Sequence, residues 1–224
     1  MIEIHDVTQR YGDRVVLRSV TLTLTESRIA VIGANGSGKS TFARLLNGLV
    51  VPDAGWVMVD GHSTRSDAAA VRRVVGFVFT DPDAQIVMPT VAEDVAFGLR
   101  RRRLGHAETD RRVAAALDWI GLRDHADHPA HLLSGGQKQL LAFCSVLVTE
   151  PRVLVCDEPT TLLDLRNARR VLDILEGLPQ QVVLVTHDLD SVTAYDRVLV
   201  FDEGRVVADG PPATAVSRYR ALVG

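Results

Sequence analysis

Cysteine is almost missing from this chain. There are two in 224 residues, Cys144 and Cys156. Both stand inside apolar runs, Leu140 to Val148 and Val153 to Cys156, and read as reduced, buried thiols. That excludes a disulfide framework and a cysteine metal cluster. Long apolar runs are also missing. None approaches the roughly 20 residues that span a bilayer, so any service to a membrane is peripheral. Glu3 and Asp6 interrupt the first residues, so no secretory leader is expected. Nor is there an excess of one charge. Lys and Arg number 25 against 28 Asp and Glu, a formal net charge of −3. That balance argues against wholesale nucleic-acid binding. Internal repeats, low-complexity stretches and long linkers are absent.

What is present is an ordinary globular composition, 46% hydrophobic and 24% charged, with enough residues for a real core. Ile2 to Thr8 and Val15 to Thr25 alternate apolar and polar residues, as strands of a half-exposed sheet do. Arg28 to Ile32 is a short buried strand and Lys39 to Asn47 a helix stopped by Gly48. Trp56 to Val59 reads as a strand turning at Asp60-Gly61, and Val74 to Phe79 as a buried strand. Helical signals then take over. Thr90 to Glu93 is a capping box, Glu108 to Ile120 a helix, and Gly135 to Thr149 another with Ser134 at its N-cap. From Pro151 onward strands and helices alternate again: Val153 to Cys156, Asn167 to Leu178, Val182 to Thr186, Leu189 to Tyr195, Val198 to Phe201. A hairpin turn falls at Glu203-Gly204. The pattern predicts an α/β chain over residues 1–224. A nucleotide-binding core and N-terminal antiparallel β subdomain take 1–80 and 151–224, and an inserted α-helical subdomain takes 81–150.

Residues 33–41 read Gly33-Ala34-Asn35-Gly36-Ser37-Gly38-Lys39-Ser40-Thr41. They follow a strand and open a helix, the context a P-loop requires. Glycines let backbone N–H groups wrap the phosphates of ATP, and the helix N-terminus adds positive potential. Lys39 is expected to reach the β- and γ-phosphates and Ser40 to ligate Mg²⁺. The apolar strand Val153 to Cys156 ends in Asp157 and Glu158. Beside a P-loop, Asp157 would hold Mg²⁺, and Glu158 would orient or deprotonate the attacking water.

Leu133-Ser134-Gly135-Gly136-Gln137 puts a serine and two glycines at a helix start, a second anion site. One domain of this size needs one phosphate cradle. The second turn makes sense if two copies meet head to tail, each completing the other's site, with two ATPs at a two-fold interface. His187 follows the strand Val182 to Thr186 and faces the ligand crevice of such a sheet, where it could sense the γ-phosphate. Taken alone it reads as a structural histidine. Asp164 gains meaning from its place after the carboxylate pair, and Tyr11 could stack on adenine.

In this order the residues resemble the nucleotide-binding subunits of ATP-binding cassette (ABC) proteins over nearly the whole chain. The resemblance implies a P-loop NTPase core of RecA-like type, ATP hydrolysis with Mg²⁺, and catalytic roles for Lys39, Glu158 and His187. Tyr11 would be the adenine-stacking residue, Leu133 to Gln137 the signature and Asp164 the end of the D-loop. One position departs. The family places after the Val74 to Phe79 strand a glutamine that touches Mg²⁺ and the membrane subunit. Here that place is Thr80, with Gln85 the other candidate in Phe79-Thr80-Asp81-Pro82-Asp83-Ala84-Gln85.

The stretch Asp81 to Val87 and Thr90 to Leu99 is similar to the energy-coupling factor subgroup, which imports vitamins and transition-metal ions. The short length and Thr160 to Asn167 are similar to the ATPases of biotin importers. The implied partners are a second copy of the chain, an integral membrane scaffold (T) subunit and a small substrate-binding (S) membrane subunit. There would be no nucleic acid, and the protein would sit on the cytoplasmic face of the cell membrane. Cobalt or nickel import is the alternative cargo. A soluble cassette protein acting on DNA or the ribosome is the alternative class, and such proteins usually carry a second cassette or a long insertion. Arg100 to Arg103 reads as a solvated helix end, with a membrane contact as the other reading. His125, His128 and His131 recur every three residues, but Pro129 prevents a shared helical face, so they read as a solvated loop.

Overall fold

The computed structural model describes residues 1–224 and divides into two compact units. The first unit comprises Met1–Phe77, Arg152–Glu158 and Leu175–Gly224; the second comprises Val78–Pro151 and Pro159–Ile174.

In the first unit, strand β1 (Ile2–Tyr11) pairs antiparallel with β2 (Arg14–Leu24). The phase of β1 changes partway: Ile2 and Ile4 are buried, then Val7 and Gln9. A strict two-residue alternation would turn Val7 outward. The ladder instead shifts register between Ile4 and Val7. Asp6 and Ser19 take positive φ there, with the Ser19 hydroxyl donating to Asp6 Oδ1. A bulge thus keeps both halves of the strand on the buried face. The other edge of β1 pairs antiparallel with residues 54–59.

Strand β3 (Arg28–Gly33) is buried almost throughout and leads through residues 34–38 into helix α1 (Lys39–Leu46). Helix α1 packs Phe42, Leu45 and Leu46 inward, and the Phe42 ring meets Phe201 at 4.9 Å between centroids. Strands β4 (Ala54–Val59) and β5 (His62–Ser63) complete a four-stranded sheet in the order β2-β1-β4-β5. Helix α2 (Ala68–Val74) then leads into β6 (Val75–Val78).

The second unit holds three helices and most of a fourth, which runs from Leu165. The capping box of α3 (Val91–Leu99) forms as read: Thr90 Oγ1 accepts from the Glu93 N–H, and the Glu93 carboxylate accepts from the Thr90 N–H. Helices α4 (His106–Ile120) and α5 (Gly135–Leu147) pack beside it, and Val95, Leu99, Leu117 and Leu140 are buried. Asp94 is buried and accepts from the Val87 and Met88 N–H groups and from Ser145 Oγ, pinning the loop before α3.

The chain returns to the first unit as β7 (Val153–Asp157), and helix α6 (Leu165–Gly177) leads to β8 (Gln181–Val185). Strands β9 (Arg197–Asp202) and β10 (Arg205–Gly210) form a hairpin turning at Glu203-Gly204. The central sheet runs β10-β9-β3-β8-β7-β6. Strand β3 is parallel to β8 and β9, and β7 to β8. These four strands carry near-continuous apolar runs because both faces are covered. The architecture is the α/β one expected, with a largely parallel core, an antiparallel sheet and a helical part.

One element differs from its reading, and two helices and the two-residue strand β5 were not read. Leu189 to Tyr195 forms turns rather than a helix. Asp188 Oδ1 accepts from the Asp190 and Ser191 N–H groups, and the Ser191 and Thr193 hydroxyls donate to the carbonyls of Asp188 and Asp190. Local side-chain bonds take the groups a helix would use. Helix α2 spans seven residues, too few for a clear period. Helix α7 (Pro212–Val223) opens on a proline at its first turn, a start signal that the proline pair at 211–212 carried.

Candidate functional site

The loop between β3 and α1 is shaped by glycine and by the hairpin at 203–204. Gly38 has φ 107, and a β-carbon there would lie 2.8 Å from both Val16 O and Leu17 Cδ2. No larger residue fits without moving β2. The Gly204 N–H donates to Ser37 O at 3.0 Å, and the Arg18 N–H donates to Gly204 O at 2.9 Å. The β9–β10 turn therefore clamps the loop to β2. In front of it lies a hollow of about 460 Å³ lined by Arg14, Arg18, Ala34, Asn35, Gly36 and Ser37, among others. Its two arginines offer a positive rim to an anion.

Lys39 is 5% exposed, and its ammonium donates to Gly33 O at 2.8 Å and Ala34 O at 2.9 Å. Burial pulls its pKa below the usual lysine range, opposed by the carboxylates of Glu158 and Asp157. Ser40 Oγ donates to Asp157 Oδ1 at 2.8 Å. Asp157 is buried at the end of β7, and burial pushes its carboxyl above the usual range. The Ser40 hydroxyl and the Arg44 guanidinium, 3.9 Å away, act in the opposite direction. The next residue, Glu158, turns out of the strand with φ 51, a backbone region sparsely used by non-glycine residues and often found at functional sites. His187 Nδ1 lies 2.6 Å from Glu158 Oε2. An ionised carboxylate only accepts, so Nδ1 carries the proton.

The structure thus brings Lys39, Ser40, Asp157, Glu158 and His187 together in the first unit, around the loop 33–41. Tyr11 stands half exposed at the end of β1 and is not among the residues lining the hollow.

The second Gly-rich turn lies in the second unit. Ser134 caps α5 through a reciprocal box. Ser134 Oγ accepts from the Gln137 N–H at 3.3 Å, and Gln137 Oε1 accepts from the Ser134 N–H at 2.9 Å. The N–H groups of Gly135 and Gly136 belong to the first turn of a 13-residue helix, where they have no partner within it. A β-carbon on Gly136 would lie 2.5 Å from Asn167 Cγ. Asp164 caps α6: Oδ1 accepts from the Asn167 N–H at 2.9 Å and Oδ2 from Asn167 Nδ2 at 2.8 Å. The Asn167 N–H, then its side-chain amide, hold the Asp164 carboxyl below the usual range. Gln85 folds back within its own loop. Its Oε1 accepts from the Phe79 N–H at 3.1 Å, and its Nε2 donates to Ala142 O at 3.0 Å.

The family described as ABC transporter matches residues 17–161, more than half of the chain. The chain belongs to the ABC transporter family. As an ABC transporter ATP-binding domain it binds and hydrolyses ATP. It is 56% identical to a putative ABC transporter ATP-binding protein of Deinococcus radiodurans, over 98% of this chain and 97% of that one. It is 50% identical to the biotin transport ATP-binding protein BioM of Rhizobium etli, over 95% of this chain and 94% of that one.

Among solved structures, it superposes with TM-score 0.85 and 32% identity on cbiO1 from Clostridium perfringens, described as part of the ABC transporter complex cbiONQ. That match covers 99% of this chain and 92% of the other. It also superposes with TM-score 0.85 and 27% identity on the cassette MJ0796 in a dimeric post-hydrolysis state bound to ADP and Pi, over 95% and 99% of the two chains.

Sequence reasoning missed several residues of this ABC cassette that shape the site. Arg14 and Arg18 line the hollow, Gly204 holds Ser37, and Asn167 packs on Gly136. Each is distant in sequence from the motif it serves, and nothing local marks that role, although the turn at Gly204 was itself legible. No helix is long and apolar enough to cross a membrane. Arg100–Arg102 form a 3-10 turn ended by Arg103 at φ 51. Arg102 pairs with Glu150 at 2.7 Å, and Arg100 lies 5.4 Å from the Phe97 ring centroid. His125 and His128 meet edge to face at 4.9 Å.

Proposed function

We propose that this ABC cassette is the ATPase subunit of a membrane importer of the energy-coupling factor type, with biotin as cargo. The 50% identity to a biotin transport ATP-binding protein over 95% of the chain supports the cargo. The observation that carries the ATPase mechanism is the pairing of Ser40 with Asp157 and of Glu158 with His187 around one P-loop.

ATP enters with its phosphates against the N–H groups of residues 34–41, and Lys39 exchanges the carbonyls of Gly33 and Ala34 for phosphate oxygens. A phosphate restores to the ammonium the favourable field that burial removed. Ser40 and Asp157 are hard oxygen donors 2.8 Å apart and suit Mg²⁺. Held by these two residues, Mg²⁺ would supply neutralisation of the phosphate charge. Glu158 accepts the proton of the attacking water, and His187 holds the Glu158 carboxylate from its other side.

Two copies close head to tail, and Ser134 with the N–H groups of α5 completes the partner's phosphate site. The dimeric form of MJ0796 bound to ADP and Pi supports the pairing of two copies. Hydrolysis removes the charge both turns grip, and the pair reopens. Beside α3, a hollow of about 370 Å³ with Met88, Ala96, Phe97, Leu99 and Leu104 in its wall has the apolar character to take a helix of a scaffold membrane subunit.

The test is capture of membrane partners by tagged Glu158→Gln protein with ATP, from gently solubilised membranes of its own host. Co-purification of a membrane scaffold and a small apolar protein that binds biotin supports the reading. A small protein that binds a metal ion instead changes the cargo. Recovery of ribosomal or DNA-repair proteins without membrane partners overturns the importer.

A further inference from the structure

One side chain outside every motif reaches the second Gly-rich turn. His125 ends a short 3-10 turn (Arg123–His125), and its Nε2 lies 3.3 Å from Gln137 Nε2. The orientation of the Gln137 amide is set from its other end, where Oε1 accepts the Ser134 N–H at 2.9 Å. A flipped amide would put an NH₂ group against that N–H. Gln137 Nε2 is therefore a donor toward the imidazole, and His125 Nε2 is the acceptor, which puts the ring proton on Nδ1. Nδ1 is buried and has no hydrogen-bond partner in the protein. His128 packs edge to face on the ring at 4.9 Å. For packing alone, an apolar side chain would fill this place without burying an unpaired nitrogen. The polar bond that His125 does make is to the amide that orients Ser134.

We propose that His125 is a positioning residue for the Ser134 turn. Accepting from Gln137 Nε2, it fixes the amide plane. The fixed Oε1 holds the Ser134 N–H, and Ser134 Oγ stays bonded to the Gln137 N–H at 3.3 Å. The hydroxyl and the helix N–H groups are thereby preset before a phosphate on a second copy arrives, which lowers the ordering cost of closing the pair. This rests on the head-to-tail pairing proposed above. His125 bonds Gln137 and does not line the hollow beside residues 34–37, so its effect appears in closure and turnover and not in the binding of ATP to a single copy.

The experiment compares His125→Leu, His125→Gln and His125→Asn in the full chain. ATP affinity is measured with a fluorescent ATP analogue at protein concentrations too low to pair. ATP-driven dimerisation is measured by sedimentation in a Glu158→Gln background. Turnover is measured without that change. His125→Leu is expected to weaken dimerisation and lower kcat between about two- and tenfold, the range one neutral hydrogen bond supports. Single-copy ATP affinity is expected to stay at the parent value. His125→Gln carries an amide oxygen to the place of Nε2 and is expected to recover both losses, whereas the shorter His125→Asn does not.

Parent-like dimerisation and kcat in His125→Leu would overturn the proposal. So would a His125→Gln protein as impaired as His125→Leu. If His125→Leu does not fold, the Gln and Asn variants decide, and equal behaviour of the two overturns it. Ser134→Ala separates this from the underlying reading. If Ser134→Ala pairs and turns over like the parent, the head-to-tail reading itself falls. If Ser134→Ala loses both while His125→Leu keeps both, the His125 proposal alone falls.

Discussion

His187 donates its Nδ1–H to Glu158 Oε2 across 2.6 Å. The histidine side chain is 60% exposed and the glutamate 17%. An exposed ring thus leans on a shielded carboxylate that leaves strand β7 with its backbone in the left-handed region. Removal of either partner separates their roles. Glu158→Gln is expected to bind ATP with near-parent affinity and to lose turnover by about 10²-fold or more, the range of a general base. His187→Ala is expected to lower kcat by a smaller factor, because Glu158 stays in place. Steady-state ATPase assays check both, and a His187→Ala loss larger than that of Glu158→Gln would reverse the assignment.

Lys39 is held by two backbone carbonyls, which a phosphate would replace in the proposed P-loop role. Lys39→Ala removes charge-assisted bonds worth about 1.5–3 kcal/mol together. ATP affinity is expected to fall by about 10- to 100-fold. Equilibrium binding of a fluorescent ATP analogue reads this directly, and an unchanged dissociation constant rejects the P-loop role.

Gly136 and Asn167 occupy each other's space. Gly136→Ala sets a β-carbon 2.5 Å from Asn167 Cγ, an overpacking expected to cost about 1–3 kcal/mol. Asn167→Ala removes the amide that bonds Asp164 Oδ2 and opens the space. The double variant is therefore expected to be less destabilised than the sum of the two. Urea unfolding of the four proteins gives the coupling, and strict additivity would show that the contact carries no energy.

The two cysteines are expected to resist thiol reagents in the folded protein. Cys144 is 1% exposed with its thiol pushed up to about 12 by burial, helped by the charge of Asp94. Burial also raises the Cys156 thiol well above its usual value, with Asp157 adding to it. At neutral pH neither offers thiolate. A thiol-titration reagent is expected to count no groups in buffer and two in denaturant.

Acid weakens the fold through groups whose pKa folding has lowered. Arg111 and Arg112 hold the Glu108 carboxyl at about 2, from an ordinary 4.5. Such a depressed acid contributes stability above its unfolded pKa and loses it as pH falls from about 4.5 toward about 2. Glu26 is also lowered, through bonds from the Glu26 and Thr25 N–H groups and from Arg197, which outweigh its burial. Glu108→Gln is expected to flatten the pH dependence of the melting temperature in that window. Because this cluster is exposed, high salt is expected to flatten it too.

Much of this site is written locally. A P-loop, a capped Gly-rich helix start and a strand ending in two carboxylates each depend on the backbone needs of a few consecutive residues. Gly38 must take φ 107 beside Val16, and Ser134 must cap its own helix. The capping box at Thr90 and the hairpin at Glu203-Gly204 were legible for the same reason. Pairings across the chain were not. Ser40 meets Asp157 across 117 positions, and the Gly204 N–H supports Ser37 only because β9 pairs beside β3. Gln85 is turned back onto Phe79, and Leu189 to Tyr195 gave up a helix to the side chains of Asp188, Ser191 and Thr193. The sequence alone determined which chemical groups the chain carries and the local turns that present them. The tertiary structure decided which of those groups meet, because long-range contacts follow from the packing of whole strands and helices, which no short window of residues specifies.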